Sequence, residues 1–422
     1  MSQAESQLTP EDWSNTTIGD FAPLQRGFDL PNRDRIDGNY PVVYSNGVMN
    51  FHNTYQVKGP GVITGRSGTI GKVHYVNEDY WPHNTALWVK QFNNAIPKYV
   101  YYLYTYIGFD RFSSGSGVPT LNRNDAHSFA ITVPTKKEEQ SAIANALSDV
   151  DALLTELEKL IAKKQAIKTA TMQQLLTGKT RLPQFATYTE GEKQGQKKGT
   201  KPSELGEIPE DWEVRNLPEV VWYQEGPGLR NWQFTNKGLK VINVTNLQES
   251  GFLNLDKTDR HITWEEYEKT YKHFSCDAGD LVIASSGNSY CKSSIVRQAD
   301  LPLLMNTSVI RFKAKQGIDR LYMTVYLRSK FFKDQIDLMI TGGAQPNFGP
   351  FHLNKVLIPL PTSKEEQTAI ATILSDMDNE IQTLEQRLTK TRQIKQGMMQ
   401  QLLTGRTRLP FKKLETKQDG GS

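Results

Sequence analysis

The stretch "GRSGTIGKV", Gly65 to Val73, offers the most tempting chemistry in this chain: a glycine-rich turn that ends in a lysine. A phosphate-binding loop needs four residues between its glycines and a Ser or Thr after the lysine. Here Gly65 and Gly71 enclose five residues, Arg66 stands where the first glycine belongs, and Val73 follows Lys72. The stretch reads instead as strand, turn, strand, with Arg66, Ser67 and Thr69 presented on the turn. The seven histidines and two cysteines are scattered without metal-ligand spacing. No dinucleotide fingerprint is present. No Pro-Pro pair occurs, which removes the Asn-Pro-Pro-aromatic signature of adenine methyltransferases. Glu138, Glu139, Glu365 and Glu366 sit in two "KEEQ" tetrads, where negative charge suits a helix N-terminus better than catalysis. Cys276 and Cys291 read as small buried residues.

Positioning polar turns takes a fold, and the chain is long enough for two or three domains at 422 residues. A hydrophobic share of 37% with 23% charged residues is that of a globular protein. The net charge of +4 fits a nucleic-acid partner, but many proteins without one share it. Two cysteines exclude a disulfide framework, and a reducing cytoplasm is the expected setting. No apolar run approaches the roughly 18 residues of a membrane span, and "MSQAESQLTPEDW" lacks a signal pattern. The final "QDGGS" is set aside as a frayed tail.

The strongest pattern is a repeat. "QQLLTGKTRLP" at Gln173 returns as "QQLLTGRTRLP" at Gln400, and "PTKKEEQSAIANALSDVD" at Pro134 returns as "PTSKEEQTAIATILSDMD" at Pro361. At a constant shift, roughly 30 of about 50 positions are identical, which chance does not produce. The same shift pairs "GSGVPTLN" at Gly115 with "GGAQPNFG" at Gly342. Further upstream only landmarks persist. "TPEDW" at Thr9 echoes "IPEDW" at Ile208, "VITGRSGTIGKV" at Val62 echoes "VIASSGNSYCKS" at Val282, and "HNTALWVK" at His83 echoes "MNTSVIRFK" at Met305.

Within the repeat, Ile143, Leu147, Val150, Leu154, Leu157 and Ile161 step by four and three, as do Ile370, Leu374, Met377, Ile381, Leu384 and Leu388. That alternation is that of a coiled-coil seam; the alternative is an amphipathic helix lying on its own domain, but two helices of equal length with equal seams favour pairing with each other. Pro134 and Pro361 precede each helix and Gly178 and Gly405 follow it, as helix boundaries prefer. About 40 residues make a rod of roughly 60 Å. The expected fold is α+β. Two globules with bent mixed sheets and helices are separated by two long antiparallel coiled-coil helices in pseudo-twofold arrangement. The boundaries are residues 1–133 for the first globule, 134–178 for its helix, 179–207 for a flexible polar linker, 208–360 for the second globule, 361–405 for its helix and 406–422 for a tail. The linker carries the chain from "TGKTRLPQF" into "GEIPEDW". If "TGRTRLPFKK" lies beside "LTPEDW", it makes the same junction without a covalent bond. The tyrosine-rich "PKYVYYLYTYIGFDRF" reads as a buried helix rather than a stacking platform for bases.

This layout resembles the specificity subunit of type I restriction–modification systems. The resemblance rests on "ITVPTKKEEQSAIANALSDVDALLTELEKL" and "VLIPLPTSKEEQTAIATILSDMDNEIQTLEQRL", each ending in "QQLLTG", on the two "PEDW" phrases, and on the "SGSGVPTLN" and "TGGAQPNF" loops. It covers nearly the whole chain. The first loop departs from it, with "VPTLN" where the second has "QPNFG". The resemblance implies a non-catalytic DNA reader. Each globule would be a target recognition domain for one half of a bipartite asymmetric site. The helices would set the spacer and dock two methyltransferase subunits, and two motor-nuclease subunits would join for cleavage. This chain would hold no cofactor; S-adenosylmethionine would belong to the methyltransferase, ATP and Mg to the motor-nuclease.

On that reading the candidate DNA contacts are loop residues. In the first globule they are Arg66, Ser67, Thr69, Lys72, Asn84, Arg111, Ser116, Asn122 and Arg123. In the second they are Arg230, Asn231, Ser285, Ser286, Asn288, Lys292, Asn306, Gln345 and Asn347. Arg suits guanine, Asn and Gln suit adenine, and Lys mostly suits phosphate. Against this stands the plainer reading that half of them are solvated turn residues, with Asn84 and Asn306 as caps. Two other functions compete: the specificity subunit of a separate-subunit restriction enzyme that both cuts and modifies, and a structural coiled-coil adaptor. An adaptor has no reason to keep its helices alike while its globules diverge.

Overall fold

The computed structural model describes residues 10–114, 119–248, 250–340 and 346–410, without the side chains of residues 114 and 257. The chain forms two compact units, residues 1–158 with 386–422, and residues 159–385. No described helix is long and apolar enough to cross a membrane.

In the first unit β1 (Trp13–Thr17) is followed by β2 (Leu24–Arg26), β3 (Tyr40–Tyr44), β4 (Gly47–His52), β5 (Gly61–Gly65), β6 (Val73–Val76), β7 (Trp81–Pro82) and β8 (Ala86–Val89). Helix α1 (Pro97–Ile107) and β9 (Ala130–Pro134) lead into the long helix α2 (Lys137–Leu176). A four-stranded antiparallel sheet runs β2-β8-β5-β6, and a three-stranded sheet runs β4-β3-β7 with β3 and β7 parallel. β1 pairs antiparallel with β9. All five residues of β5, "GVITG", are buried, as a β-branched central strand should be.

In the second unit the end of α2 is followed by a hairpin of β10 (Thr200–Ser203) and β11 (Gly206–Pro209). Then come β12 (Trp212–Asn216), β13 (Val221–Glu225), β14 (Leu239–Ile242), β15 (His261–Ile262), β16 (Leu281–Ala284), β17 (Ser293–Ile295), β18 (Leu303–Met305) and β19 (Val309–Ala314). Helices α3 (Arg320–Leu327) and α4 (Lys330–Met339), strand β20 (Leu357–Pro361) and helix α5 (Lys364–Leu402) complete it. The sheets repeat those of the first unit: β13-β19-β16-β17, β15-β14-β18 with β14 and β18 parallel, and β12 with β20. The duplication therefore extends through the globules, where sequence identity has faded.

The tyrosine-rich helix is core. Tyr99, Tyr102 and Tyr104 of α1 are buried with Ile143, Ala144 and Leu147 of α2 and Leu402 and Leu403 near the end of α5. Their counterparts are Tyr322 and Tyr326 of α3, buried with Leu175, Leu176, Ile370, Ala371 and Leu374. Tyr322 donates to the Pro359 carbonyl at 2.7 Å and Tyr326 to that of Leu357 at 2.6 Å, whereas the Tyr99 hydroxyl is buried without a hydrogen-bond partner. The aromatic segment of the second unit, "DRLYMTVYLRSKFFKDQI" from Asp319, forms two helices, α3 and α4. Ser329 interrupts it and caps α4, accepting from the Phe332 amide at 3.1 Å.

The twelve seam residues of the long helices are all buried or half-buried. In the first unit Asp151 pairs with Lys395 (2.5 Å) and Glu158 with Arg392 (2.6 Å). In the second Lys164 pairs with Glu380 (2.7 Å) and Lys168 with Asp378. Within each unit, then, the facing segments run in opposite directions.

The repeated phrases have a physical explanation. In the second unit Arg181 of "TGKTRLP" pairs with Asp211 (2.7 Å) and with Glu366 (2.7 Å), and the Trp212 indole also donates to Glu366 (3.3 Å). In the first unit Arg408 of "TGRTRLP" pairs with Asp12 (2.9 Å) and Glu139, and the Trp13 indole donates to Glu139 (3.3 Å). Gly178 and Gly405 turn the chain at φ +68° and +72°, a conformation that favours glycine. The junction expected between "TGRTRLP" and "TPEDW" is present. Glu139 and Glu366 are thus buried anchors rather than exposed helix-opening charges. The adjacent glutamines are anchors too: Gln140 donates to the Pro134 carbonyl and Gln367 to that of Pro361, both at 2.9 Å.

The linker expected to be flexible is folded. Besides its hairpin, Tyr188 donates to Glu210, and Lys198 reaches Asp211 at 2.8 Å. Lys198 serves an ion pair, and Gly191, Gly195 and Gly206 serve turns at positive φ, roles that composition alone does not separate from solvation.

Candidate nucleic-acid interface

In the first unit three loops meet at one end of the four-stranded sheet. The amides of Arg66 and Ser67 both donate to the Thr85 carbonyl, at 2.8 and 3.2 Å. Leu121 donates to the Arg66 carbonyl (2.8 Å) and Gly68 to that of Pro119 (3.1 Å). The turns around 66–68, 83–85 and 119–121 are therefore one surface held by main chain, which leaves side chains for a ligand. Gly65 is required, since a Cβ there would collide with the Thr69 carbonyl.

The second unit builds the same junction. Ser285 donates to the Ser308 carbonyl (2.9 Å), Phe348 donates to Ser285 (3.0 Å), and Ser286 bridges Asn347 as Ser67 bridges Thr120. These bonds make Arg66 the counterpart of Ser285, and Thr85 that of Ser308. Two landmark echoes thus shift by one residue: His83 corresponds to Asn306, and Val62 to Leu281. Shared dipeptides had drawn the sequence match onto neighbours that the ladder separates.

The candidates divide by environment. Arg66 is half-buried, with Nη1 3.5 Å from the Asn84 carbonyl. Ser67 and Thr69 are half-buried and Lys72 is exposed. Asn84 donates its amide to Asp29, so part of its hydrogen-bonding capacity is used. Arg111 is exposed and lies 5.3 Å from the Phe129 ring centroid. Asn122 accepts from the Asn124 amide at 3.0 Å as the cap of a short helix, and Arg123 beside it is exposed. In the second unit Arg230, Asn231, Asn288 and Asn347 are exposed, while Ser286 and Lys292 are half-buried. Ser285 is buried at 1% exposure, because its position closes the sheet end where Arg66 has a long side chain to reach outward. Asn306 caps its own turn, accepting from the Thr307 amide at 2.9 Å. Ser116 and Gln345 lie outside the described residues.

Several groups at these surfaces have no signal in sequence spacing. The ring of His83 stacks on Tyr44 with centroids 4.1 Å apart, and burial pushes its pKa down. Burial likewise lowers that of His74, near Lys72. Neutral imidazoles keep an acceptor as well as a donor for a ligand. Trp232 projects into solvent beside Arg230 and Asn231. Among the described residues no group of three or more His, Cys, Asp or Glu is placed to hold a metal ion.

The family model for the type I restriction modification DNA specificity domain matches residues 10–169 and 209–395. The chain belongs to that family. It is the specificity subunit of a type I restriction–modification system, a DNA-recognising chain and not the catalyst. It is 27% identical over 419 residues to the type I restriction enzyme MjaVIII specificity subunit of Methanocaldococcus jannaschii, covering 95% of this chain and 94% of that one. The StySPI specificity subunit of Salmonella potsdam is 26% identical over 206 residues, covering 47% and 43%. In fold the specificity subunit resembles the S subunit from M. genitalium, with a TM-score of 0.59 at 15% identity, covering 94% of this chain and 97% of that one. It also resembles a chain solved in work on complex assembly and conformational transition of the type I system, with a TM-score of 0.55 at 12% identity, covering 95% and 100%.

Proposed function

We propose that this specificity subunit reads a bipartite asymmetric DNA site, one half with each of two recognition domains, residues 1–133 and 208–360. The observation that carries this is the three-loop junction. Two of its main-chain bonds and its bridge recur in both units, while the side chains on them differ: Arg66 against Ser285, Thr120 against Asn347. A constant frame with variable side chains is how one architecture reads two different sequences, since backbone sets position and side-chain donors and acceptors set base choice. Arg66, Ser67, Thr69, Lys72, Arg111 and Arg123 in one domain, and Arg230, Asn231, Ser286, Asn288, Lys292 and Asn347 in the other, are the proposed contacts. The long helices act as an antiparallel coiled coil that sets the spacer and docks two methyltransferase subunits, with two motor-nuclease subunits completing a cutting complex. S-adenosylmethionine would be held by the former, ATP and Mg by the latter.

The test is a chimera in which residues 1–133 come from a relative, followed by mapping of methylated adenines in the host. One half of the motif should change and the other half and the spacer should stay. A change in both halves refutes independent reading.

A further inference from the structure

The two units share one more device. From Trp13 and Trp212 through Gly27 and Gly226 to Asn32 and Asn231, the matched positions keep one spacing with no insertion. Gly27 donates to the Ala86 carbonyl and Gly226 to that of Val309, each at 3.0 Å, and a Cβ at either glycine would collide with the turn that carries His83 or Asn306. Both segments therefore leave the three-loop junction at the same point. Each then forms a single helical turn, Asn32–Asp34 or Asn231–Gln233, closed by the Asp34 amide on Pro31 and the Gln233 amide on Arg230, both 2.9 Å. The middle residue of each turn is exposed: Arg33, 3.6 Å from the Asp34 carboxylate, with 86% of its side chain exposed, and Trp232 with 80% exposed.

An indole exposed to that extent is uncommon on a folded surface, and its support is rigid. Gln233, the next residue, is buried; it donates to Glu266 and to the Tyr271 hydroxyl (2.9 Å) and accepts from the Arg230 amide (2.7 Å). The ring is thus held out on a fixed turn between a guanidinium, an amide and a buried anchor. Apolar area presented without mobility loses little entropy on binding. The flanking Arg230 and Asn231 are the side chains that engage phosphate and base edges, and they name the partner as nucleic acid rather than an apolar protein groove.

We propose that Trp232 is a specificity-determining contact, packing its ring against the base edges or sugars of the half-site read by the second domain, and that Arg33 fills the equivalent place in the first domain by charge. This rests on the half-site reading above. Trp232 acts by removing apolar surface from water, which releases no counterions. Arg33 acts by displacing them.

The experiment is a binding titration at several salt concentrations. It uses the full-length chain, a duplex carrying the motif mapped by methylation, and a second duplex with the second half-site scrambled. Trp232→Ala should weaken binding to the motif about 10- to 100-fold with an unchanged salt slope. It should also narrow the gap between the two duplexes. Trp232→Arg should recover part of the affinity and steepen the slope by about one, and Arg33→Ala should flatten it by about one. Both side chains are exposed, so folding is preserved, and a thermal melt checks it. Wild-type affinity and discrimination in Trp232→Ala would overturn the proposal. So would unchanged DNA binding with lost capture of the methyltransferase subunit, which would make the ring a protein contact. If a swap of residues 208–360 leaves the motif unaltered, the half-site reading itself has failed; if the swap changes one half while Trp232→Ala is silent, only the role of Trp232 falls.

Discussion

Arg408→Ala and Arg181→Ala remove the same guanidinium from two copies of one junction, and they should not cost the same. In the second unit Arg181 has 10% of its side chain exposed and Glu366 has 2%. Truncating Arg181 strands a buried carboxylate with only the Trp212 indole as a charge-neutral donor. Breaking such a pair by removing one partner costs about 3–5 kcal/mol. In the first unit Glu139 is as buried, at 1%, but 36% of the Arg408 side chain is exposed, so water replaces part of what the guanidinium supplied. That lowers the expected loss to about 2–3 kcal/mol. The mode of failure should differ as well. Arg181 lies inside a continuous path from α2 into β11, whereas Arg408 joins segments that no local covalent link holds together. Arg408→Ala should therefore release residues 403–410 and 10–13 locally before the unit unfolds. Urea denaturation gives the global loss, and amide hydrogen exchange gives the local one. Equal losses in the two variants, or wild-type protection of residues 10–13 in Arg408→Ala, would refute the idea that this arginine closes the first unit.

Two further outcomes follow from the same geometry. The Arg408 guanidinium hydrogen-bonded to Asp12 holds its carboxyl below the usual carboxylate value. A depressed folded-state pKa means that the stability from Asp12 is present above about pH 4 and is lost as pH falls through the folded value, so Asp12→Asn should flatten the acid limb of a stability–pH curve. In the recognition loops, Arg66→Ala should relax base choice in one half-site, with about 1–3 kcal/mol of discrimination lost, while Lys72→Ala weakens all duplexes alike; titration on a panel of variant sites separates the two.

The duplication, the two long helices and the absence of recognised catalytic motifs were legible in the residues. They depend on local order: a seam stepping by four and three, a proline before and a glycine after, and phrases repeated at a constant shift. The junction of "TGRTRLP" with "TPEDW" was legible for the same reason, because its covalent twin is written out in the middle of the chain. Tertiary structure alone decided what the repeated phrases do. Nothing in "KEEQ" distinguishes a solvated helix-opening carboxylate from Glu139 buried under an arginine and an indole. Nothing in "GRSG" against "SSGN" says that Arg66 stands at an open sheet end while Ser285 is sealed within one. Spacing records which residues share a helix face, but side chains from loops more than fifty residues apart meet only through sheet register. A one-residue register difference was enough to make Asn306, and not Met305, the equivalent of His83. Trp232 itself had no sequence signal: beside the candidate contacts Arg230 and Asn231, an aromatic residue is ordinarily turned into the core, and only the fold shows that this one faces water.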